Sequence, residues 1–251
     1  MTRRRWIADE VNGETASLTG EHAVHLARVL RARVGQEFDI VLSAGKKGDA
    51  PSDLRRGTIT AISDHRVDFS LGDKLQSEAA SIPKITLVLA IFKFDRMEWA
   101  IEKCTEIGVS RIIPLIARRS DAHLIAAASK RRERWLRITK QAAEQSRRAV
   151  VPEILSPMRL QDLEEALPGV TTRLVLAETL AGAQEAGLTD ILQSSSTGEA
   201  ILAIGPEGGW TEEELAWFRC AGWMAVSLGQ TILRAETAAI VASALAIDAL
   251  R

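Results

Sequence analysis

Residues 200–214 read AILAIGPEGGWTEEE: an apolar strand from Ala200 to Ile204, a glycine turn Gly205-Pro206-Glu207-Gly208-Gly209, and the opening of a helix. Ala200 to Ile204 has strand length, and the glycines after it allow backbone angles that a side chain would forbid. The chain can turn sharply there and leave peptide groups open to a ligand. Thr211 reads as a helix N-cap with Glu214 three residues on, a capping box, while Trp210 and Leu215 take the positions of a hydrophobic staple. Glu212, Glu213 and Glu214 suit the positive end of the helix dipole, and are read as helix-start chemistry in preference to catalysis. The same acids exclude a phosphate cradle, which needs a helix N-terminus free to meet an anion. The spacing matches neither G-x-G-x-x-G nor G-x-x-x-x-G-K-[ST]. A neutral or cationic ligand fits better than a nucleotide.

A second stretch repeats this logic. Residues 224–238 read MAVSLGQTILRAETA: Met224 to Leu228 is a strand, Gly229 breaks it, and Ala235 to Leu250 is a helix apolar on nearly every face. Such a helix is buried all round. It lies between a sheet and other elements or is covered by a second subunit, so a homodimer with this helix at or near the interface is expected. Two strand-turn-helix units this close together suggest one binding site.

Working outward, the rest of the second half alternates strand and helix. Strand Ile85 to Ile91, helix Arg96 to Ile107 capped by Asp95 and ended by Gly108, and strand Arg111 to Ile116 form a βαβ unit. Further strands at Arg173 to Ala177, Ala200 to Ile204 and Met224 to Leu228 predict an α/β domain with a mostly parallel sheet over 85–251. Residues 73–84 are polar and read as a linker. Residues 1–72 carry short apolar runs at Arg5 to Ala8, Glu37 to Leu42, Gly57 to Ile62 and Arg66 to Leu71. With the turn-rich Ala44 to Asp53 and one helix at Glu21 to Arg31, they predict a small β-barrel.

The 251 residues are 46% hydrophobic with a net charge of −1, which hides a segregation. Residues 85–150 hold fourteen Lys and Arg against seven Asp and Glu, about +7, whereas residues 151–251 come to about −9. A basic field of this kind holds a polyanion, and RNA is the expected partner. Arg118 and Arg119 after one strand, and Arg147 and Arg148 before a strand Val150 to Ile154, are candidate contacts, because open α/β sheets place their sites at strand ends. Lys93, Arg3, Arg4 and Arg5 are further candidates. For the three N-terminal arginines a solvated terminus is the other reading, and for Lys130 to Lys140 a solvated helix face is.

Cys104 and Cys220, with histidines at 22, 25, 65 and 123, form no ligand cluster, so no metal is expected. Cys104 falls on the apolar stripe Met97, Ala100, Ile101, Cys104, Ile107 and reads as core. No apolar segment follows Arg3 to Arg5, and Ile85 to Phe92 is too short to span a bilayer. A cytoplasmic protein is expected.

GPEGGWTEEE and LGQTILRAETA together closely resemble the signature of the small-subunit (16S) ribosomal RNA uridine N3-methyltransferases, a family of the SPOUT class of knotted methyltransferases. Lys93 to Gly108 (KFDRMEWAIEKCTEIG), Arg118-Arg119-Ser120, Glu144-Gln145-Ser146 with Arg147, Arg148 and Pro152, and His22 to Leu30 (HAVHLARVL) with Gly35 follow in the expected order. The resemblance covers most of the chain. It implies a PUA-like RNA-binding barrel over 1–72 and a trefoil-knotted domain over 85–251 that binds S-adenosylmethionine and methylates N3 of a decoding-region uridine. Nothing in the sequence pattern reveals the knot, and general topology rules argue against one.

For the cofactor, the resemblance points to Ile204, Gly205, Pro206, Glu207, Gly208 and Gly209, to Leu228, Gly229, Ile232, Leu233 and Ala238, and to Leu176, Ala177 and Glu178 as a third wall. For chemistry it points to Arg234, whose guanidinium would stabilise charge developing on the uracil; an ion pair or cap contact with Glu236 is the other reading. Glu207 stands either as a base or as a ligand of backbone amides or a ribose hydroxyl. The chain has no tyrosine, so stacking on a base falls to Phe, Trp, His or Arg; Phe92, Phe94 and Trp210 are nearest the motifs. A related methyltransferase acting on another RNA position, or a non-catalytic RNA-binding ribosome-assembly protein, remain as alternatives.

Overall fold

The computed structural model describes residues 5–42, 53–75, 83–167, 169, 172–177, 187–195 and 198–251. The chain divides into two units, one of Met1–Ala80 with Ala143–Val150, the other of Ser81–Ala142 with Val151–Arg251. Arg3, Arg4, Glu178 and most of the turn-rich 44–53 stretch lie outside the described residues.

In the first unit, strands β1 (Arg5–Ile7), β2 (Glu10–Asn12), β3 (Thr15–Thr19), β4 (Glu37–Leu42), β5 (Asp53–Ile62) and β6 (Arg66–Lys74) form one sheet ordered β1-β4-β5-β6-β3-β2. Only the β1–β4 pair is parallel. Strand alternation sends Val67, Phe69 and Leu71 of β6 into a core with Trp6, Leu18, Ile40 and Ile59. On the other face Arg66 donates to Asp68 at 2.7 Å and to Glu10 at 2.8 Å. A hydrogen bond from Ser17, with Arg66 alongside, holds the Asp68 carboxyl below the usual carboxylate range. Between β3 and β4 run helix α1 (Gly20–Val24) and a π-helical turn, His25–Val29, within the single helix expected at Glu21 to Arg31.

The β2–β3 hairpin was not expected. Its strands are short and β2 is exposed throughout, so they carry little alternating apolar signal; the cue was Asn12-Gly13, whose glycine has φ +57°, as a two-residue hairpin turn requires. Residues 143–150 complete this unit. The buried Glu144 accepts from the Ile7 amide at 3.3 Å and stands 3.6 Å from His22.

The second unit is built on seven parallel strands: β7 (Lys84–Ala90), β8 (Arg111–Ile116), β9 (Glu153–Ile154), β10 (Met158–Arg159), β11 (Thr172–Leu176), β12 (Glu199–Ile204) and β13 (Met224–Val226). Their order is β10-β8-β7-β12-β11-β13, with β9 also on β8. Both faces are covered, as a parallel sheet requires. On one face Ile85, Leu87 and Leu89 of β7 pack with helices α2 (Phe94–Ile107), α3 (Ala122–Gln145) and α7 (Ala235–Ala249). On the other Val88 and Ala90 meet Trp210, Phe218 and Trp223, of which Phe218 belongs to α6 (Glu212–Cys220). Two shorter helices, α4 (Leu163–Ala166) and α5 (Leu188–Gln193), complete the unit.

Four expectations are corrected. Asp95 does not cap α2: the helix begins at Phe94 after Lys93, and Asp95 lies in its first turn, where an acid favours the dipole. The linker drawn at 73–84 overlaps β6, which runs to Lys74, and β7, which begins at Lys84. The strand expected from Val150 begins at Glu153; Pro152 has no amide to give a ladder. Helix α7 is buried along one face, through Ala235, Ala239, Ala242, Ser243, Ala246 and Ile247, but Ala244 and Leu245 are exposed in the single chain.

Gly108 ends α2 at φ +132°, and a methyl group there would meet Ile247 Cδ1 at 2.9 Å. Cys104 is a core residue packed 3.6 Å from Ser243, its thiol pushed up to about 12 by burial.

Candidate functional site

Every segment that follows a long strand of the second sheet arrives at the same edge. Parallel strands put all their carboxyl ends on one side, and a crevice opens where the chain order reverses, here between β7 and β12. A cavity of ≈ 790 Å³ lies there. Lys93 and Arg96 reach it from after β7, Arg119 from after β8, Leu176 and Ala177 from the end of β11, Ile204 to Trp210 from after β12, and Val226 to Arg234 from after β13.

The first turn is fixed at several points. The Gly209 amide donates to the Pro206 carbonyl at 2.8 Å, with Gly209 at φ +69°. Trp210 lays its indole against Gly205, where a methyl group would sit 3.1 Å from the ring, and its Nε1 donates to the Leu176 carbonyl at 2.9 Å. Arg119 Nη1 donates to the Gly208 carbonyl at 2.7 Å. Behind it the capping box is formed: the Glu214 amide donates to Thr211 Oγ1 at 3.3 Å and the Thr211 amide to Glu214 Oε2 at 2.8 Å. Glu214 Oε1 also accepts from the Arg118 amide at 2.8 Å, so one buried carboxylate joins the start of α6 to the segment after β8. Hydrogen bonds from the Thr211 hydroxyl and its own backbone lower the Glu213 pKa, with Arg118 and Arg119 nearby.

In the second turn Ser227 Oγ accepts from the Gly229 amide at 3.2 Å, with Gly229 at φ +119°. Ile232, 78% exposed, stands on the cavity wall. Arg234 is the N-cap residue of α7, makes no side-chain cap bond and is exposed at the cavity. Among the described residues it has no ion pair. Its expected alternative partner, Glu236, turns instead to Arg96, with Nε to Oε1 at 3.8 Å. Arg96 also donates to Glu207 Oε1 at 2.6 Å, so Glu207 meets a guanidinium and not backbone amides.

Of the candidate cofactor contacts, Leu176, Ala177, Ile204, Gly205, Pro206, Glu207, Gly208, Gly209, Leu228, Gly229, Ile232, Leu233 and Ala238 all line this cavity. The candidate RNA contacts separate. Lys93 and Arg119 line the cavity, whereas Arg5, Arg147 and Arg148 gather in the first unit, where Arg5 Nη1 donates to the Arg147 carbonyl. Burial pulls the Arg148 pKa down to about 10, and the half-buried guanidinium stays charged at neutral pH. In the basic run of α3, Arg131 and Arg134 pair with Glu98 at 2.9 and 2.8 Å, and Arg132 donates to the Ile154 carbonyl at 2.8 Å. Lys130 and Arg137 are exposed.

The aromatic candidates are also occupied. Phe92 is buried in the core, and Phe94 stacks edge-on against Trp135 under Arg131. Trp210 touches the cavity while held by Leu176. Arg96 was missed. Its signal was a cation in the first turn of a helix, the wrong end of the dipole for positive charge.

Residues 79–247 match the family model described as an RNA methyltransferase domain. The chain is 33% identical over 238 residues to the Ribosomal RNA small subunit methyltransferase E of Synechocystis, covering 94% of this chain and 74% of that protein. Among solved structures it resembles the Ribosomal RNA small subunit methyltransferase E of Neisseria gonorrhoeae bound to S-adenosyl methionine, with TM-score 0.80 and 30% identity over 97% of this chain and 96% of that one. A putative methyltransferase of Legionella pneumophila, in complex with the same cofactor, gives TM-score 0.81 and 29% identity over 99% and 98% of the two chains. With its cavity framed by two glycine turns at the strand ends, and with relatives alike over nearly the whole length, the chain belongs to the family of small-subunit ribosomal RNA methyltransferases built on the RNA methyltransferase domain.

Proposed function

We propose that this chain methylates N3 of a decoding-region uridine in 16S ribosomal RNA, using S-adenosylmethionine held in the cavity between the two turns. The observation that carries the reading is the convergence of both glycine turns on one ≈ 790 Å³ space with Arg234, which has no ion pair among the described residues, at its edge. The lining fits the group. Gly229 leaves open space where a side chain would project, Leu176, Ile204 and Leu228 give apolar walls for an adenosine, and Glu207 and Glu212 supply negative charge near a cation. When bound, S-adenosylmethionine supplies an electrophilic methyl carbon on a sulfonium.

The backbone of 204–209 and 228–233, with Leu176 and Ala177, holds the donor. Arg234 stabilises the negative charge that develops as the uracil N3 loses its proton. Glu207 forms part of the wall: accepting that proton would first require breaking its pair with Arg96. Lys93 and Arg119 face the phosphates around the target nucleotide, and Arg5 and Arg147 extend the contact on the first unit.

The same reading takes residues 1–72 as a PUA-like barrel and 85–251 as a trefoil-knotted SPOUT domain. A homodimer covers the exposed Ala244 and Leu245 on α7, and the protein is cytoplasmic. The described helices include none long and apolar enough to cross a membrane. The test pairs a calorimetric titration with S-adenosylmethionine and a map of methylated uridines in small-subunit RNA with and without the gene. Binding, and the loss of one N3-methyluridine without the gene, are expected; no binding, or an unchanged map, would overturn the reading.

A further inference from the structure

We infer that Arg96 is a positioning residue for methyl transfer, acting as a two-sided clamp that sets the spacing of the two turns. The inference rests on reading the cavity as the methyl-donor site. Arg96 enters from the first turn of α2 and lines the cavity. Its Nη1 lies 2.6 Å from Glu207 Oε1 in the first turn, and its Nε lies 3.8 Å from Glu236 Oε1 in the opening turn of α7, just past the second. Among the described residues no hydrogen bond joins 205–209 directly to 227–234, and the guanidinium instead ties the first turn to the start of α7, the helix that the second turn opens.

Glu236 is the buried end of this arrangement. It is 5% exposed, and among the described residues its Oε2 finds no hydrogen-bond partner. A carboxylate so withdrawn from water is unfavourable unless a cation faces it, and among the described residues the cation that does so is Arg96. Neither helix gains from Arg96 in its own right, since a positive charge in the first turn of α2 opposes the dipole. Its pairing with acids on two other segments accounts for its place.

Charge and position make opposite demands, which separates them experimentally. One guanidinium against two carboxylates leaves this trio net negative. If Arg96 acted through its charge alone, removing it would leave the trio more negative and tighten the hold on a cationic donor. If it sets the spacing of the turns, removing it loosens both and weakens binding. Arg96→Gln is therefore expected to raise the Kd for S-adenosylmethionine by about tenfold or more, leaving the KM for RNA unchanged. Glu207→Gln cuts the same clamp from an exposed turn residue, so it reports even if Arg96→Gln folds poorly. It is expected to weaken binding too, with little further loss in the double variant. Arg96→Lys, a single charged point without the fork, falls between wild type and Arg96→Gln.

Unchanged or tighter binding in Arg96→Gln would overturn the inference, as would fully additive losses in the double variant. Amide exchange of the ligand-free protein reads the clamp independently of the donor. Faster exchange at both Gly209 and Gly229 in Arg96→Gln supports it, and unchanged exchange overturns it. Should the wild-type chain fail to bind S-adenosylmethionine, the functional reading falls while this exchange measurement still decides the role of Arg96.

Discussion

Arg234, Arg96 and Arg119 are three arginines on one cavity with three different situations. Arg119 gives its Nη1 to a turn carbonyl, Arg96 is shared between two acids, and Arg234 stands without an ion pair among the described residues. A group meant to meet charge that appears only during reaction is best left without a permanent partner. Arg234→Ala is accordingly expected to lower single-turnover methylation by about a hundredfold or more while calorimetry finds the Kd for S-adenosylmethionine unchanged. Normal turnover would remove Arg234 from the chemistry. The family resemblance made Arg234 and Glu207 candidates in the sequence. The partner of Glu207 was not legible: it is a residue 111 positions away, and no local spacing rule reaches so far.

At the scale of elements, sequence was most telling where local chemistry and tertiary packing agree. The β8 boundaries and the capping box on α6 follow the expected pattern because an apolar run and an N-cap act within a few residues. Glu214 does more than the motif implies. Besides closing the box it accepts the Arg118 amide, so its removal strands two donors where loss of Thr211 strands one. Thr211→Ala is expected to cost about 1 kcal/mol, and Glu214→Ala about 2–3 kcal/mol with a buried amide left unpaired. Urea unfolding followed by Trp fluorescence compares the two, and equal losses would deny Glu214 its second role. Elements built on short or exposed strands, β2 and β10, escaped notice, since two or three residues carry no readable period.

For the whole molecule, the segregation of charge survives in part. Some of the basic excess is spent inside the fold, on Glu98 and on the Ile154 carbonyl. Among the described residues, Lys93, Arg118, Arg119, Lys130, Arg137 and Arg147 are cations left facing a cavity or solvent. RNA affinity should fall steeply with salt, and Lys93→Ala should reduce the slope of log K against log salt by about one contact. A filter-binding series would show it, and an unchanged slope would mean that Lys93 meets no phosphate. The division into two units was read as consecutive, yet both are discontinuous: the first takes Ala143–Val150 from the far end of α3, and that segment interrupts the second. The Ile7 amide, close to the N-terminus, finds its carboxylate 137 residues later. During synthesis, therefore, the unit begun first is finished late. A nascent chain halted after β6 lacks Glu144, and the first unit has its last segment only once the ribosome has translated through α3.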